Sequence, residues 1–294
     1  MPAAETGLRH GASFDPARLR WSRLEYRASK LLIRATSSVQ MGLDDAAAAS
    51  AQWPVPVQGI PSMPRGARVV HLELESRILR RTSRLELWLD PASGTALQRS
   101  QLETGSKTRH NRLRSLRFTD CGISLLTRRA TGETIDGPVE RWPMSQVFKP
   151  YPEELPSGAV VSEPSGLFYF LAVAPLESPG DEVTTHLFSQ GRVVSVSLAV
   201  EERIEVGVDY LASDSGASAQ RRMEGRMQVL RVRLGGRPLV KGNEGSDFRL
   251  LGLGGDIEIF LDPENRLPIR ISGEIPGAGR GRVRLRRVVL APPR

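Results

Sequence analysis

The chain has 294 residues, of which 39% are hydrophobic, and a formal charge of +8. This length suits one large or two ordinary domains, and the apolar share suffices for a packed core, which excludes a disordered chain. Only 5% of the residues are aromatic, whereas 28 Gly and 21 Pro are spread along the chain. Such a composition favours β-structure with many turns over a helical bundle.

The basic excess is almost entirely arginine, because the only lysines are Lys30, Lys107, Lys149 and Lys241. A basic surface attracts phosphate or anionic lipid. The arginines are scattered, however, and a GC-rich genome raises Arg, Ala, Gly and Pro together. The scatter favours compositional bias over a nucleic-acid-binding patch.

Cys121 is the only cysteine, so the sequence offers no intrachain disulfide and no thiolate-rich metal site. The first twenty residues contain charges and no continuous apolar run, unlike a signal peptide. The longest apolar segment, GLFYFLAVAPL from Gly166, is too short to span a membrane. As written, the sequence predicts a cytoplasmic protein.

The first half of the chain reads as a β-meander. A hairpin is predicted over Arg23 to Met41. The Ala-rich and then Pro-rich segment from Asp44 to Gly66 predicts a short helical turn and an extended loop. From Val69 the alternation is strong: one strand carries Val70, Leu72 and Leu74 on one face, and the next carries Leu85, Leu87 and Leu89. Three more strands with largely polar outward positions follow.

The second half contains one predicted helix between strands. Alternation fades over 132–158, where we expect a crossing loop that carries Trp142, Phe148 and Tyr151. Ser162, Glu163 and Pro164 precede a run of apolar residues, which predicts an N-capped helix buried nearly all round. The remaining segments, including DFRLLGL near residue 250, predict strands.

The stretch IEIFLDPENRLPIRISG, from Ile257 to Gly273, predicts a complete hairpin. Its bend is Asp262 to Asn265, where Pro263 presets a type I turn and Asn265 tolerates a left-handed backbone. Pro268 lacks an N–H, so we expect an edge or outward position there. A weaker copy, LELWLDPASGTALQR, begins at Leu85, and Leu-Asp-Pro ends the strand in both.

These patterns predict a flexible N-terminal extension over 1–20 and a single β domain over 21–294, with irregular inserts near 44–66 and 132–158. The spacing of turn signals fits a large sheet, a sandwich or an open barrel.

The stretch from about Val161 to Leu290 resembles a bacterial family of unknown function, the domain of unknown function 3108. The shared features are the GLFYFLAVAPL helix, a strand pair at FSQGRVVSVSLAV, and the terminal IEIFLDPENRLPIRISGEIPGAG. The resemblance implies a mainly β fold in which one large, curved antiparallel sheet, an open or half barrel, wraps a short helix. Similar half-barrels occur in the lipoprotein carriers LolA and LolB and in the enzyme VioE. Family members are usually exported, which implies a cell-envelope protein if the true start lies elsewhere.

No residue pattern predicts a catalytic, metal or cofactor site. His10, His71, His110 and His186 lie on separate elements without metal-site spacing. GLGGD at Gly252 leads into a strand, so it is better explained as a turn than as a phosphate-binding loop. Glu201 and Glu202 are adjacent in a strand and should face opposite sides, which argues against a carboxylate pair.

Two groups of residues are candidates for binding. Arg112 and Arg114 alternate on one strand face and form a possible anion surface, although a solvated face is favoured. Trp88 and Phe260 lie two residues before each Asp-Pro, opposite the Leu and Ile series. If that face is concave, they could line an apolar ligand cavity with Phe168, Tyr169 and Phe170. Core packing of helix on sheet is the favoured alternative.

The sequence leaves three functions open. The first is a non-enzymatic carrier of a lipophilic small molecule or lipid. The second is a VioE-type enzyme acting on a hydrophobic small molecule. The third is a structural or protein-interaction domain with an exposed sheet edge.

Overall fold

The computed structural model describes residues 14–30, 33–105, 111–132, 134, 137–240 and 248–292. His10, Lys107, His110 and Lys241 lie outside them. Two α-helices are described, α1 (Ala46–Ser50) and α2 (Leu167–Val173), with short 3-10 turns at Pro16–Arg18, Val139–Arg141 and Pro164–Gly166. The strands are β1 (Trp21–Lys30), β2 (Ile33–Asp45), β3 (Arg68–Ile78), β4 (Arg81–Leu89), β5 (Ala96–Gly105), β6 (Arg112–Phe118), β7 (Gly122–Arg129), β8 (Met144–Pro150), β9 (Val161–Ser162), β10 (Glu182–Ser189), β11 (Arg192–Asp214), β12 (Arg221–Pro238), β13 (Gly254–Leu261), β14 (Pro268–Ile275) and β15 (Gly279–Leu290).

These strands form one sheet, with the order β8-β7-β6-β5-β4-β3-β2-β1-β15-β14-β13-β12-β11-β10-β9. The first strand therefore lies beside the last, and two meanders run outward from this junction. The C-terminal end of β11, Leu211 to Asp214, also pairs in parallel with β15, so β11 to β15 form a closed ring. The predicted fold class, a mainly β protein with one large curved sheet around a short helix, is confirmed.

The predicted hairpins of the first half are confirmed. β1 and β2 pair in antiparallel fashion from Arg23–Gln40 to Lys30–Ile33. β3 and β4 place Val70 opposite Leu89, and Leu72 opposite Leu87. All four of these side chains are buried, because the alternating apolar set faces the interior of the sheet. α1 and a long loop follow β2, as the Ala-rich and Pro-rich segment predicted.

Helix α2 is buried on every side. Each of its seven residues is at most 1% exposed, which an apolar helix requires in water. The Glu163 side chain accepts a hydrogen bond from the Ser165 N–H, and Pro164 occupies the first position of the turn that leads into α2. The helix ends before Ala174-Pro175, since a residue that precedes proline disfavours the helical conformation. The predicted buried helix is confirmed, whereas the predicted cap belongs to the 3-10 turn, and α2 itself begins after Gly166 without a side-chain cap.

The two Leu-Asp-Pro turns are closed by equivalent backbone hydrogen bonds. The Asp90 N–H donates to the carbonyl of Thr95, and the Asp262 N–H donates to that of Leu267, each at 2.9 Å. The aspartate side chain accepts from the backbone N–H of Ser93 in the first turn and of Glu264 in the second. Each aspartate thus closes its own turn.

Both turns hold α2. In the first, the Pro91 carbonyl accepts a 2.6 Å hydrogen bond from the Tyr169 hydroxyl, and Gly94 lies against the ring of Phe170. In the second, the guanidinium of Arg266 donates to the carbonyls of Ala174 and Leu176, directly after the helix. The repeated motif therefore has a structural function: each copy binds a different part of the same helix.

The prediction of an irregular segment over 132–158 is partly wrong. Residues 144–150 form β8, which pairs with β7 from Gly122–Pro150 to Arg128–Met144, and Phe148 lies on it. Pro143 and Pro150 suggested a loop. They are tolerated because β8 is at the edge of the sheet, where one side needs no ladder hydrogen bonds.

Details of the second turn also differ from prediction. The left-handed residue is Arg266, with φ of 58°, and not Asn265; its hydrogen bonds to α2 offset the backbone strain. Pro268 lies on an interior strand, but it is the first residue of β14 and precedes a register shift, so its missing N–H is tolerated there.

The segment DFRLLGL does not form a strand among the described residues. Leu250 and Leu253 make an isolated bridge, and Leu251 and Gly252 between them have positive φ. The apolar residues of this segment suggested a strand, but they form a tight turn whose Phe248 and Leu250 reach the core. The turn leads directly into β13.

A substitution at Gly94 tests the contact between turn and helix. An added Cβ would lie 2.6 Å from Phe170 Cε1 at a φ of +71°, so Gly94→Ala should lower the free energy of unfolding by about 2–4 kcal/mol through strain and overpacking. Gly216→Ala is the matched control, because its φ of +80° is similar and nothing lies within 4 Å; we expect about 1–2 kcal/mol. Urea unfolding measures the free energy of unfolding of both variants. Equal losses in the two would show that the contact between Gly94 and Phe170 does not stabilise the fold.

Candidate functional site

A cavity of about 800 Å³ lies inside the sheet, next to the segment that precedes α2. Glu163, Pro164 and Ser165 form its floor. The helix is only seven residues long and is held at the Leu-Asp-Pro turns, so it leaves this part of the interior unfilled. The cavity is the candidate site.

One wall of the cavity carries no charge. It is formed by inward-facing residues of β15 and β1 to β4: Val283, Tyr26, Ala28, Ala35, Ser37, Leu74, Ser76, Ile78, Ser83 and Leu85. Cross-strand pairing fixes their common face, since Ala28 lies opposite both Ala35 and Val283. Small and aliphatic side chains leave room for an apolar molecule here.

The facing wall is charged. It comes from β5 to β8 and contains Arg99, Gln101, Glu103, Arg114, Leu116, Leu125, Thr127, Arg129 and Lys149. The turn from β10 to β11 and the loop before β13 complete the lining with Phe188, Ser189, Gln190, Gly191, Arg249, Leu251 and Gly252. A Cβ added at Gly191 would lie 2.6 Å from Lys149 Nζ, so β8 closely approaches the other end of the sheet.

The floor holds a buried ion pair. Arg99 Nε lies 3.3 Å from Glu163 Oε2, and their side chains are 15% and 4% exposed. Burial raises the pKa of Glu163, while the Arg99 guanidinium and the Ser165 N–H lower it. Glu163 therefore makes two contacts: it caps the turn that leads into α2, and it forms an ion pair with Arg99 of the charged wall.

Arg114 is half-buried on the charged wall. Burial lowers its pKa most, and the neighbouring guanidinium of Arg112 lowers it further, while Glu103 raises it. Glu103 itself binds Arg112, with 2.6 Å between Oε2 and Nε. The Gln101 amide, which accepts from Arg99, donates to the Ser83 hydroxyl at 2.8 Å and so joins the two walls.

The predicted aromatic residues of α2 do not line this cavity. Phe168, Tyr169 and Phe170 are completely buried. Their rings pack against Tyr26 and Phe14, with centroids 5.0–6.1 Å apart. This arrangement is the core packing that the sequence favoured.

Trp88 and Phe260 lie on the outer face of the sheet. Trp88 stacks on His71, with ring centroids 4.7 Å apart, and packs near Trp53 of the loop after α1. The guanidinium of Arg270 lies 3.5 Å from the centre of the Phe260 ring. Neither residue lines the cavity, because the Leu and Ile series occupies the inner face.

The predicted pair Arg112 and Arg114 does share the inner face. Arg114 lines the cavity, and Arg112 lies one position nearer the rim, in its ion pair with Glu103. Sequence reasoning did not identify Arg99, Glu163 or Lys149. Alternation in RSQLE put Arg99, Gln101 and Glu103 on one face, but polar residues on a strand are normally assigned to solvent.

Glu201 and Glu202 were expected to face opposite sides of the strand, and this expectation is wrong. Arg231 lies 3.0 Å from Glu201 and 3.2 Å from Glu202. A register shift between Val200 and Glu202 allows both carboxylates to reach one guanidinium. They form part of a partly exposed ion-pair ladder and lie outside the cavity.

Within the described part of the chain, no group of three or more His, Cys, Asp or Glu side chains is placed to hold a metal ion. The helices of the described residues lack the length and apolar character needed to cross a membrane.

Comparison with known proteins identifies no family for the chain. No family model matches it, and no curated protein does. Among solved structures, it is similar to a β-barrel-like protein of the domain of unknown function DUF1849 from Brucella abortus, with a TM-score of 0.46 and 10% identity over 93% of this chain and 98% of that one.

The raised pKa of Glu163 gives a pH-dependent prediction. The folded protein holds this proton more tightly than the unfolded chain, so the stabilisation is fully present below pH about 4.5, the ordinary pKa, and is lost as pH rises through the raised pKa. Glu163→Gln removes the titration but keeps an oxygen for the Ser165 N–H. The free energy of unfolding of the wild type minus that of the variant should therefore fall as pH rises. Urea titrations at several pH values measure this difference, and a constant or rising difference would contradict it.

Proposed function

We propose that this protein is a non-enzymatic binding protein that holds a lipophilic molecule in the cavity beside α2. The observation that carries the proposal is the 800 Å³ space inside the sheet, one wall of which is formed by uncharged side chains. Small-molecule sites in proteins occupy about 300–1,000 Å³ and combine apolar walls with a few polar groups that orient the ligand. The resemblance to family 3108 implies a half-barrel similar to those of the carriers LolA and LolB, and this analogy of fold agrees with a binding function.

This binding site differs from the one expected from the sequence. The aromatic side chains of α2 fill one end of the interior. The proposed ligand occupies the other end, in contact with Ala28, Ala35, Leu74 and Leu85. An apolar molecule in this space would replace water on aliphatic side chains, which is favourable by about 25 cal/mol per Å² of apolar surface buried.

An enzyme is the second candidate, and one observation favours it. Glu163 is a buried carboxyl group with a raised pKa at the floor of a cavity, which is a common property of catalytic acids and bases. Its hydrogen bond from the Ser165 N–H and its ion pair with Arg99 already explain why a carboxyl group is buried at this position. Binding without reaction is therefore the better-supported function.

A cavity-filling substitution tests the proposal. Ala35 lines the cavity, and Thr36 is exposed on the opposite face of the same strand. Ala35→Trp should lower the affinity for the neutral dye Nile red about tenfold, because the indole occupies the space and about 1.4 kcal/mol corresponds to that factor. Thr36→Trp should leave the affinity unchanged. Fluorescence titration measures both.

Two results would contradict this proposal: the wild type does not bind Nile red, or the two tryptophan substitutions change the affinity for Nile red equally. Thermal unfolding of each variant, followed by circular dichroism, confirms that both remain folded.

A further inference from the structure

The charges in the cavity are divided unevenly between its walls. Five basic side chains line it, Arg99, Arg114, Arg129, Lys149 and Arg249, against two acidic ones, Glu103 and Glu163. None of the lining residues from β15 and β1 to β4 is charged. A molecule in this cavity therefore meets a neutral surface on one side and a positive one on the other.

Most of these basic groups have no partner of opposite charge in the part of the chain that the structure describes. The two carboxylates are already occupied, Glu163 by Arg99 and Glu103 by Arg112 of the rim. Arg114, Arg129, Lys149 and Arg249 make no ion pair and no side-chain hydrogen bond with any residue that the structure describes. Their donors are available to a ligand.

Of these residues, Arg114 is the best candidate for binding an anionic group of a ligand. It lies at the centre of the charged wall, opposite Gln101 on β5 and Thr127 on β7. Three guanidinium groups, those of Arg112, Arg99 and Arg129, act on Arg114, and the nearby carboxylate of Glu103 is paired with Arg112. A half-buried guanidinium in such surroundings is costly unless a further anion compensates it. Guanidinium also presents paired N–H donors that match the oxygens of carboxylate and phosphate.

We propose that the ligand is an anionic amphiphile whose carboxylate or phosphate group binds Arg114, with Arg129 nearby, while its apolar chain lies along the neutral wall. This inference rests on the proposed binding function and specifies the chemistry of the ligand. The predicted anion surface at Arg112 and Arg114 would then serve the interior of the sheet and not its outer face.

Isothermal titration calorimetry with single-chain probes tests the inference. Dodecanoate and dodecyl phosphate should bind the wild type about tenfold more tightly than dodecanol, since one charge-assisted hydrogen-bonded pair contributes at least that factor. Arg114→Gln should remove this preference, and Arg114→Lys should retain part of it. Arg114→Glu should reverse it in favour of dodecyltrimethylammonium.

The matched control is Arg27→Gln, which removes the same charge from an exposed position on the outer face of β1. The preference for anionic probes should persist in this variant. Loss of the preference in Arg27→Gln as well as in Arg114→Gln would mean general attraction to a basic protein and would overturn the inference. Arg114→Lys keeps the test interpretable if Arg114→Gln fails to fold.

The remaining outcomes separate the two proposals. Equal binding of dodecanol and the anionic probes by the wild type would overturn the anionic specificity and leave the lipophilic-binding function intact. Failure of every chain probe and of Nile red would overturn both. Inorganic phosphate alone should bind far more weakly than dodecyl phosphate; equal affinity would identify a site for free phosphate and contradict an amphiphilic ligand.

Discussion

The burial of α2 inside the sheet is the constraint on which the rest of the structure depends. Its seven residues have no polar face, so the helix is stable only where strands surround it. Three polar contacts position the helix: Glu163 caps the 3-10 turn that leads into it, the Tyr169 hydroxyl donates to the Pro91 carbonyl, and the Arg266 guanidinium donates to the carbonyls that follow it. The two Leu-Asp-Pro turns supply two of these contacts, which explains why the chain contains the motif twice.

The cavity is a consequence of the same arrangement. A short helix held near the turns cannot fill an interior enclosed by so many strands, and the unfilled part remains beyond Glu163. On one side the inward residues are aliphatic or small; on the other, β5 to β8 turn charged residues inward. Because inward charges are costly when unpaired, folding alone poorly explains this wall, and the anionic ligand that we propose would compensate its charge.

Several features could be predicted from the sequence because they depend on local patterns. Alternation at Val70 to Leu89 identified a strand pair and its buried face, and the acidic residue and proline before Leu167 identified the helix. β8 was missed because only its edge position makes Pro150 acceptable. The left-handed Arg266 was missed because its hydrogen-bond partners, the Ala174 and Leu176 carbonyls, lie about 90 residues away in the chain. The resemblance to the family of unknown function 3108 implied a mainly β architecture, which the structure confirms; membership of that family and the cellular location stay predictions.

The sequence by itself determined the strands, the buried helix and the Asp-Pro turns, because each follows from periodicity, capping or proline geometry within a few neighbouring residues. Only the tertiary structure decided which face of each strand is enclosed. Side-chain alternation defines two faces but does not say which one is covered, and polar residues are assigned to solvent by default. For this reason Trp88 and Phe260 were candidates for a cavity that they do not reach, whereas Arg99 and Glu163 at its floor became recognisable only when the sheet had curved around them.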